Sequence, residues 1–298
     1  RNLIREAMNL DSGKGLVRFV KSIFFMTLIF ELAGAILSFF VFVQDYPPLR
    51  AAGISIFHSV AAFNNSGFDI LGNFQNLIPY QNNILLNLVT CGLIFWGGIG
   101  FLVIQEMWSK RFHWRKFSMH TKIVVTVSLA LIISGTVLLK LSEDISWLGA
   151  FFHSVSARTA GFSTYSLGTF SNAGLLVLIK SAATNKSEKA FHYAIPAVAF
   201  RKAAVITLIA VGVVLSGTYL MVAMEPNVSL MDALFEITSA FGTVGLSTGI
   251  TPALCDGSKL LSILIMYIGR LGPLTIASLW YFTKGERVSY PEGNIAIG

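Results

Sequence analysis

Residues 57–69 read FHSVAAFNNSGFD, and the pattern returns twice without gaps, as FFHSVSARTAGFS at 151–163 and FEITSAFGTVGLS at 235–247. In this alignment Phe57, Phe151 and Phe235 coincide, and so do Gly67, Gly161 and Gly245. Each copy runs from a short amphipathic apolar segment into a polar turn that contains glycine, and each lies between two long apolar segments. A short helix leading into an extended glycine turn, repeated about an axis, is how a membrane protein offers backbone carbonyls to a bare cation.

The surrounding composition agrees. The 298 residues are 54% hydrophobic and only 12% charged, with mean hydropathy +0.68. Soluble domains carry about 25% charged residues, so this chain has too little polar surface to cover a soluble globule. The expectation is an all-α polytopic membrane protein in the lipid bilayer. The net charge of +7 does not mark a nucleic-acid binder, because the basic residues fall in short loops and not on one polar face. Cys91, in an apolar helix, and Cys255, in a loop, form neither a disulfide framework nor a metal spacing. The sequence begins at Arg1 with no visible signal peptide and reads as part of a longer chain.

Outward from the first copy, Ser22–Val43 is long enough to cross a ~30 Å hydrocarbon core and carries one acid, Glu31. Ala51–Phe63 is too short to span and reads as a re-entrant helix, with Asn64–Phe68 as its turn. Ile84–Trp108 is the next span; its Gly97-Gly98-Ile99-Gly100 allows close helix approach or a bend. Ile123–Leu141, the short helix Ile145–Ala157 and the turn Arg158–Phe162 repeat the order. Ser171–Ile179 then stops too early to cross, and we expect a segment to be absent between Ile179 and Lys180, a genuine half-helix being the alternative. Ala203–Met224, the short helix Ser229–Phe241, the turn Gly242–Leu246 and the span Leu260–Thr283 complete a third unit. The expected divisions are an inner segment 1–21, units 22–108, 109–200 and 201–283, and a tail 284–298.

Seventeen of the 22 Lys and Arg lie in 1–21, 109–122, 180–202 and 284–298. The other loops and turns hold Asp45, Asp69, Glu143, Asp144, Glu225, Asp232 and Asp256. This positive-inside asymmetry directs all three glycine turns to the outer face. The units share one topology, unlike the inverted repeats of many carriers, and suit a ring around a central pore. A cation leaving water needs several oxygens at once, and backbone carbonyls supply them without fixed charge, so the ion binds yet can leave. Each short helix also directs the negative end of its dipole toward the centre. His58, His153 and His192 fall at unmatched positions and read as structural.

FNNSGF, ARTAGF and FGTVGL resemble the selectivity-filter turns of the Trk/Ktr/HKT superfamily of K+ transporters, and are most similar to the KtrB type of membrane subunit. IGRLGPLT and the terminal YPEGNIAIG add to this resemblance, which covers nearly the whole chain. It implies four span–pore helix–filter–span repeats around one pore, three of them present and a fourth placed before Arg1. It assigns K+-binding roles to Asn64, Asn65, Ser66, Gly67, Thr159, Ala160, Gly161, Gly242, Thr243, Val244 and Gly245. Arg158 is read as pairing behind the filter with Glu236. Aligning GGIGF with GRLGP sets Arg270 opposite Gly98, below the filter, where the family has a gate arginine facing a flexible loop; that loop would fall after Ile179. The resemblance further implies a homodimer on a cytosolic ring of nucleotide-binding regulatory subunits, in a bacterial inner (plasma) membrane, with stimulation by Na+. No phosphate-binding loop or phosphorylated aspartate motif is apparent, so the expected activity is passive and not that of an enzyme or pump. Two other readings stand beside it: a symporter coupling K+ to Na+ or H+ through Glu31 or Asp69, and a membrane scaffold that moves no ion.

Overall fold

A computed structural model describes residues 16–73, 75–183 and 197–271. Its elements are helices: α1 (Leu16–Phe42), α2 (Pro48–Phe63), α3 (Ile84–Gly98), α4 (Phe101–Ser109), α5 (Met119–Ser142), α6 (Trp147–Ser156), α7 (Asn172–Ala183), α8 (Ala197–Met224), α9 (Leu230–Phe241) and α10 (Asp256–Leu271). Stretches of α1, α5 and α8 are each long and apolar enough to cross a bilayer. With no water in hydrocarbon to satisfy the peptide groups, helices are the form such segments must take. Phe24, Phe25, Ile29, Leu32 and Ile36 of α1 and Leu208, Leu215 and Tyr219 of α8 point outward, which in water would be a large apolar patch and in lipid is the proper surface.

The short helices are of a different kind. α2, α6 and α9 contain 16, 10 and 12 residues, and even the longest extends only about 24 Å at 1.5 Å per residue. Local chemistry fixes their starts. Pro47 and Pro48 open α2, where a proline's missing N–H costs nothing. Ser146 and Ser229 accept from Gly149 N–H and Asp232 N–H as the caps of α6 and α9, satisfying otherwise orphaned donors. These helices are the buried centre: Ala62, Phe152, Ala150, Ala233 and Ile237 are fully enclosed.

Packing links successive units in one sense. α6 lies against α3, and α9 lies against α7, so each later short helix is wedged onto the unit before it. Gly97 of α3 abuts the carbonyl of Phe63, the last residue of α2, and Gly269 of α10 abuts that of Phe241, the last of α9. A β-carbon at either glycine would strike that oxygen, so a side chain of any size is barred. The same contact made twice supports aligning GGIGF with GRLGP.

Three segments differ from their expected bounds or shape. Ile84–Trp108 is not one straight span: Gly100 adopts φ 89°, available to glycine without penalty, and α3 and α4 meet at 97°. α7 runs through the Ile179–Lys180 bond to Ala183, so the helix extends four residues past the end of the apolar run. α8 begins at Ala197, earlier than the apolar count put it. The segments 1–15, 184–196 and 272–298, with His192, the loop expected to face Arg270, and the terminal YPEGNIAIG, lie outside the described residues.

Candidate functional site

The three glycine turns meet at one place. Gly67, Gly161 and Gly245 have φ of 72°, 77° and 90°, the left-handed region that costs an L side chain roughly 1–2 kcal/mol. A β-carbon at Gly67 would lie 2.6 Å from Ala160 O and 2.9 Å from Gly161 Cα. One at Gly161 would lie 2.5 Å from Val244 O and 3.2 Å from Gly245 Cα. The turns therefore pack backbone on backbone in the order first, second, third, and absence of side chains is what permits it. Segments that follow the turns keep the same order: Leu77 N–H donates to Ser163 O at 3.1 Å, and Gly168 abuts Thr248 O.

Each turn is built at the C-terminal end of its short helix. In the first, Ser66 N–H returns to Ala61 O at 2.9 Å, and in the third Val244 N–H returns to Ser239 O at 2.9 Å. Asn65 and Thr243 accordingly adopt φ of 52° and 51°, the left-handed step that satisfies a helix's last carbonyls. The second turn closes tighter, with Ala160 N–H on Ser156 O at 2.9 Å. Thus Asn64–Gly67, Thr159–Gly161 and Gly242–Gly245 are brought together.

Buried polar side chains brace the far side of the turns. Ser156 Oγ donates to Phe162 O at 2.5 Å and Ser239 Oγ to Leu246 O at 2.6 Å. His153, fully buried, bonds Gly149 O through Nδ1 at 2.9 Å and Ser163 Oγ through Nε2 at 3.1 Å. His58 bonds Thr90 Oγ1 at 2.8 Å. His58 and His153 are thus held by hydrogen bonds within the fold.

Arg158 and Glu236 are not partners. Glu236 accepts from Ser247 Oγ at 2.5 Å, Thr248 N–H at 3.1 Å and Thr251 Oγ1 at 3.2 Å, all from the exit of its own turn. Arg158 reaches backward and donates to Ser128 Oγ of α5 at 3.0 Å. A buried carboxylate is tolerated when donors fill its lone pairs, and here neutral donors close at hand do so. Asn64, at the position equivalent to Arg158, likewise turns to the first helix of its unit and donates to Glu31 Oε1 at 3.0 Å. Arg270 is exposed in the last turn of α10, one residue beyond the Gly269 contact.

Sequence reasoning missed two sets of residues. Acids read only as markers of the outer face are latches: Asp45 accepts from Tyr80 Oη at 2.8 Å, Glu143 from Ser171 N–H at 2.9 Å and Glu225 from Cys255 N–H at 2.6 Å. In each unit an acid after the first span ties down the start of the second, a correspondence visible in their similar distances before the three glycines. The bond from Cys255 N–H holds the Glu225 carboxyl below its ordinary range. Asn76 was missed outright: its Oδ1 accepts from Ser163 N–H at 3.1 Å and its Nδ2 approaches Gly67 O at 3.5 Å.

Comparison with known proteins places this arrangement. The family model described as TrkH, a cation transport protein, matches residues 12–122 and 196–283. The chain is 30% identical to the Ktr system potassium uptake protein B of Vibrio alginolyticus, over 99% of this chain and 74% of that protein. It is 29% identical to the potassium/sodium uptake protein NtpJ of Enterococcus hirae, over 100% of this chain and 76% of that one. The alignment with the Vibrio protein runs over 340 positions, more than the chain's 298 residues, so that relative carries internal residues with no counterpart here. The fold resembles the potassium transporter TrkH of Vibrio parahaemolyticus, with a TM-score of 0.69 at 14% identity over 92% of this chain; the chain spans 66% of that protein's length. Apolar spanning helices, short buried helices and glycine turns packed together are thus the parts of a multi-pass membrane transporter, and the chain belongs to the TrkH family of cation transport proteins.

Proposed function

We propose that this chain carries potassium into the cell as the gated, passive translocation subunit of a Ktr-type system, with the three turns as parts of its selectivity filter. The observation that carries this reading is the backbone-on-backbone contact of Gly67, Gly161 and Gly245 at the ends of three buried helices. Main-chain oxygens gathered there replace the hydration shell of K+, and the absence of a fixed charge on them lets the ion leave. The row of turns is open on one side among the described residues, where Gly161 Cα is the sole neighbouring atom within 4 Å of where a Gly245 β-carbon would sit; the fourth turn implied by the family resemblance would close it. Units 22–108, 109–200 and 201–283 are the repeats in this reading. Arg270 is the gate, and the basic hairpin with Lys110, Arg111, Arg115 and Lys116 faces the cytosolic nucleotide-binding ring beneath a homodimer.

The test is K+, Rb+ and Na+ flux in liposomes containing the complete protein, with Gly161→Ser as control. Uptake of K+ and Rb+ above Na+, weakened by the substitution, supports the reading; no ion uptake returns the scaffold alternative. One observation favours the second reading, a K+ symporter coupled to Na+ or H+: the Glu31 carboxylate touches Asn64 at the base of the first turn. A reversal potential that follows the K+ gradient alone removes it.

A further inference from the structure

Between the first and second turns a side chain adds to the backbone packing. Asn76 sits nine residues after Gly67, half-buried, with φ of 49°. Its Oδ1 accepts from Leu77 N–H at 2.9 Å in its own chain segment and from Ser163 N–H at 3.1 Å in the second unit. Leu77 N–H in turn reaches Ser163 O at 3.1 Å, so both peptide groups of Ser163 are held by residues 76–77. The amide nitrogen of Asn76 extends to Gly67 O at 3.5 Å. One carboxamide therefore touches the first turn's glycine and the residue two beyond the second turn's glycine. The joint between the second and third units is different: Gly168 packs directly on Thr248 O, and among the described residues no asparagine bridges the two units there.

We infer that Asn76 is a positioning residue that fixes the spacing of the first and second turns, and through that spacing the discrimination between K+ and Na+. The inference rests on the filter reading above. Asparagine suits the place on three counts. It tolerates the left-handed backbone, its oxygen can accept from two N–H groups, and its nitrogen donates. The bridge adds to the packing of Gly67 on Ala160 O and acts against separation of the two turns, which that packing does not resist.

The test uses the complete protein in liposomes. Asn76→Gly keeps the left-handed backbone and removes the bridge. Asn76→Ser, too short to reach Ser163, is the second variant should the first fail to assemble. The expected result is a K+/Na+ uptake ratio lower by about fivefold, the scale of one buried hydrogen bond. Asn76→Asp keeps the oxygen facing Ser163 and so keeps slow exchange at that amide, but it sets an acceptor in place of the donor to Gly67 O, and the ratio still falls. Hydrogen exchange at the Ser163 amide is the readout that does not depend on transport, and it accelerates in the Gly and Ser variants. An unchanged ratio in an assembled Gly or Ser variant overturns the inference, as does unchanged Ser163 exchange. A wild-type protein without K+ preference overturns the filter reading instead, and Ser163 exchange still decides whether the bridge exists.

Discussion

Replacing Gly161 by alanine puts the packing of the turns under direct strain. The residue's φ of 77° costs an L side chain roughly 1–2 kcal/mol. The new methyl would lie 2.5 Å from Val244 O and 3.3 Å from Gly245 C. The first of these is about 0.9 Å inside ordinary van der Waals contact. The obstacle is main chain and not a side chain that can swing aside, so the third turn must retreat from the second. Overpacking of this kind costs about 1–3 kcal/mol. If the strain is relieved by separating the two turns, carbonyl spacing changes and the K+/Na+ uptake ratio falls by about tenfold for each 1.4 kcal/mol of lost discrimination. The assay is competition between Rb+ and Na+ for uptake into liposomes, beside a size-exclusion profile that shows the variant assembled. An assembled Gly161→Ala protein with parental discrimination would refute the reasoning, because it would mean that the contact does not set the ion's surroundings.

Other predictions follow from separate contacts. Gly97→Ala drives a methyl into Phe63 O and should lower stability by about 1–3 kcal/mol, read as a drop in Tm in detergent; an unchanged Tm would contradict the packing. With Arg270 as the proposed gate, Arg270→Ala should raise K+ flux severalfold, since charge inside a membrane pore is a barrier to like charge; identical flux under every regulatory condition removes the gate role. Glu225 is held below its ordinary carboxylate value by Cys255 N–H, so its latch contributes above the unfolded value of 4.5 and is lost as pH falls through the lower folded value. The Tm difference between parent and Glu225→Gln should therefore be largest near neutrality and shrink on acidification; a difference that grows at low pH would reverse the sign and the assignment.

Features set by a local rule could be read in the sequence. Glycine at 67, 161 and 245 is demanded by backbone angle and close approach, and such demands leave the same letter at the same place in each copy. The extent of α9 and the end of α2 were legible for a similar reason, since a serine and a polar turn mark them, whereas α2 was read from Ala51 and starts at Pro48. What crosses between units left little trace. A charge-pairing argument carried Arg158 across to Glu236 of the next unit, whereas it turns to Ser128 in the first helix of its own. Asn76 was invisible because its partners are contributed by another unit and its type carries no periodic signal. The bend at Gly100 was anticipated only as one of two uses of a glycine cluster. The end of α7 at Ala183 was not legible because the apolar run stops at Ile179, whereas Lys180 can carry its ammonium to water while its stem stays beside the apolar surface.

The most direct measurement is the location of the ion itself. Crystals of the complete protein grown in Rb+ should show anomalous density where Asn64–Gly67, Thr159–Gly161 and Gly242–Gly245 converge, with main-chain oxygens as its nearest neighbours. Density found instead at the carboxylates of Glu31 or Asp69, with none among the turns, would contradict the account.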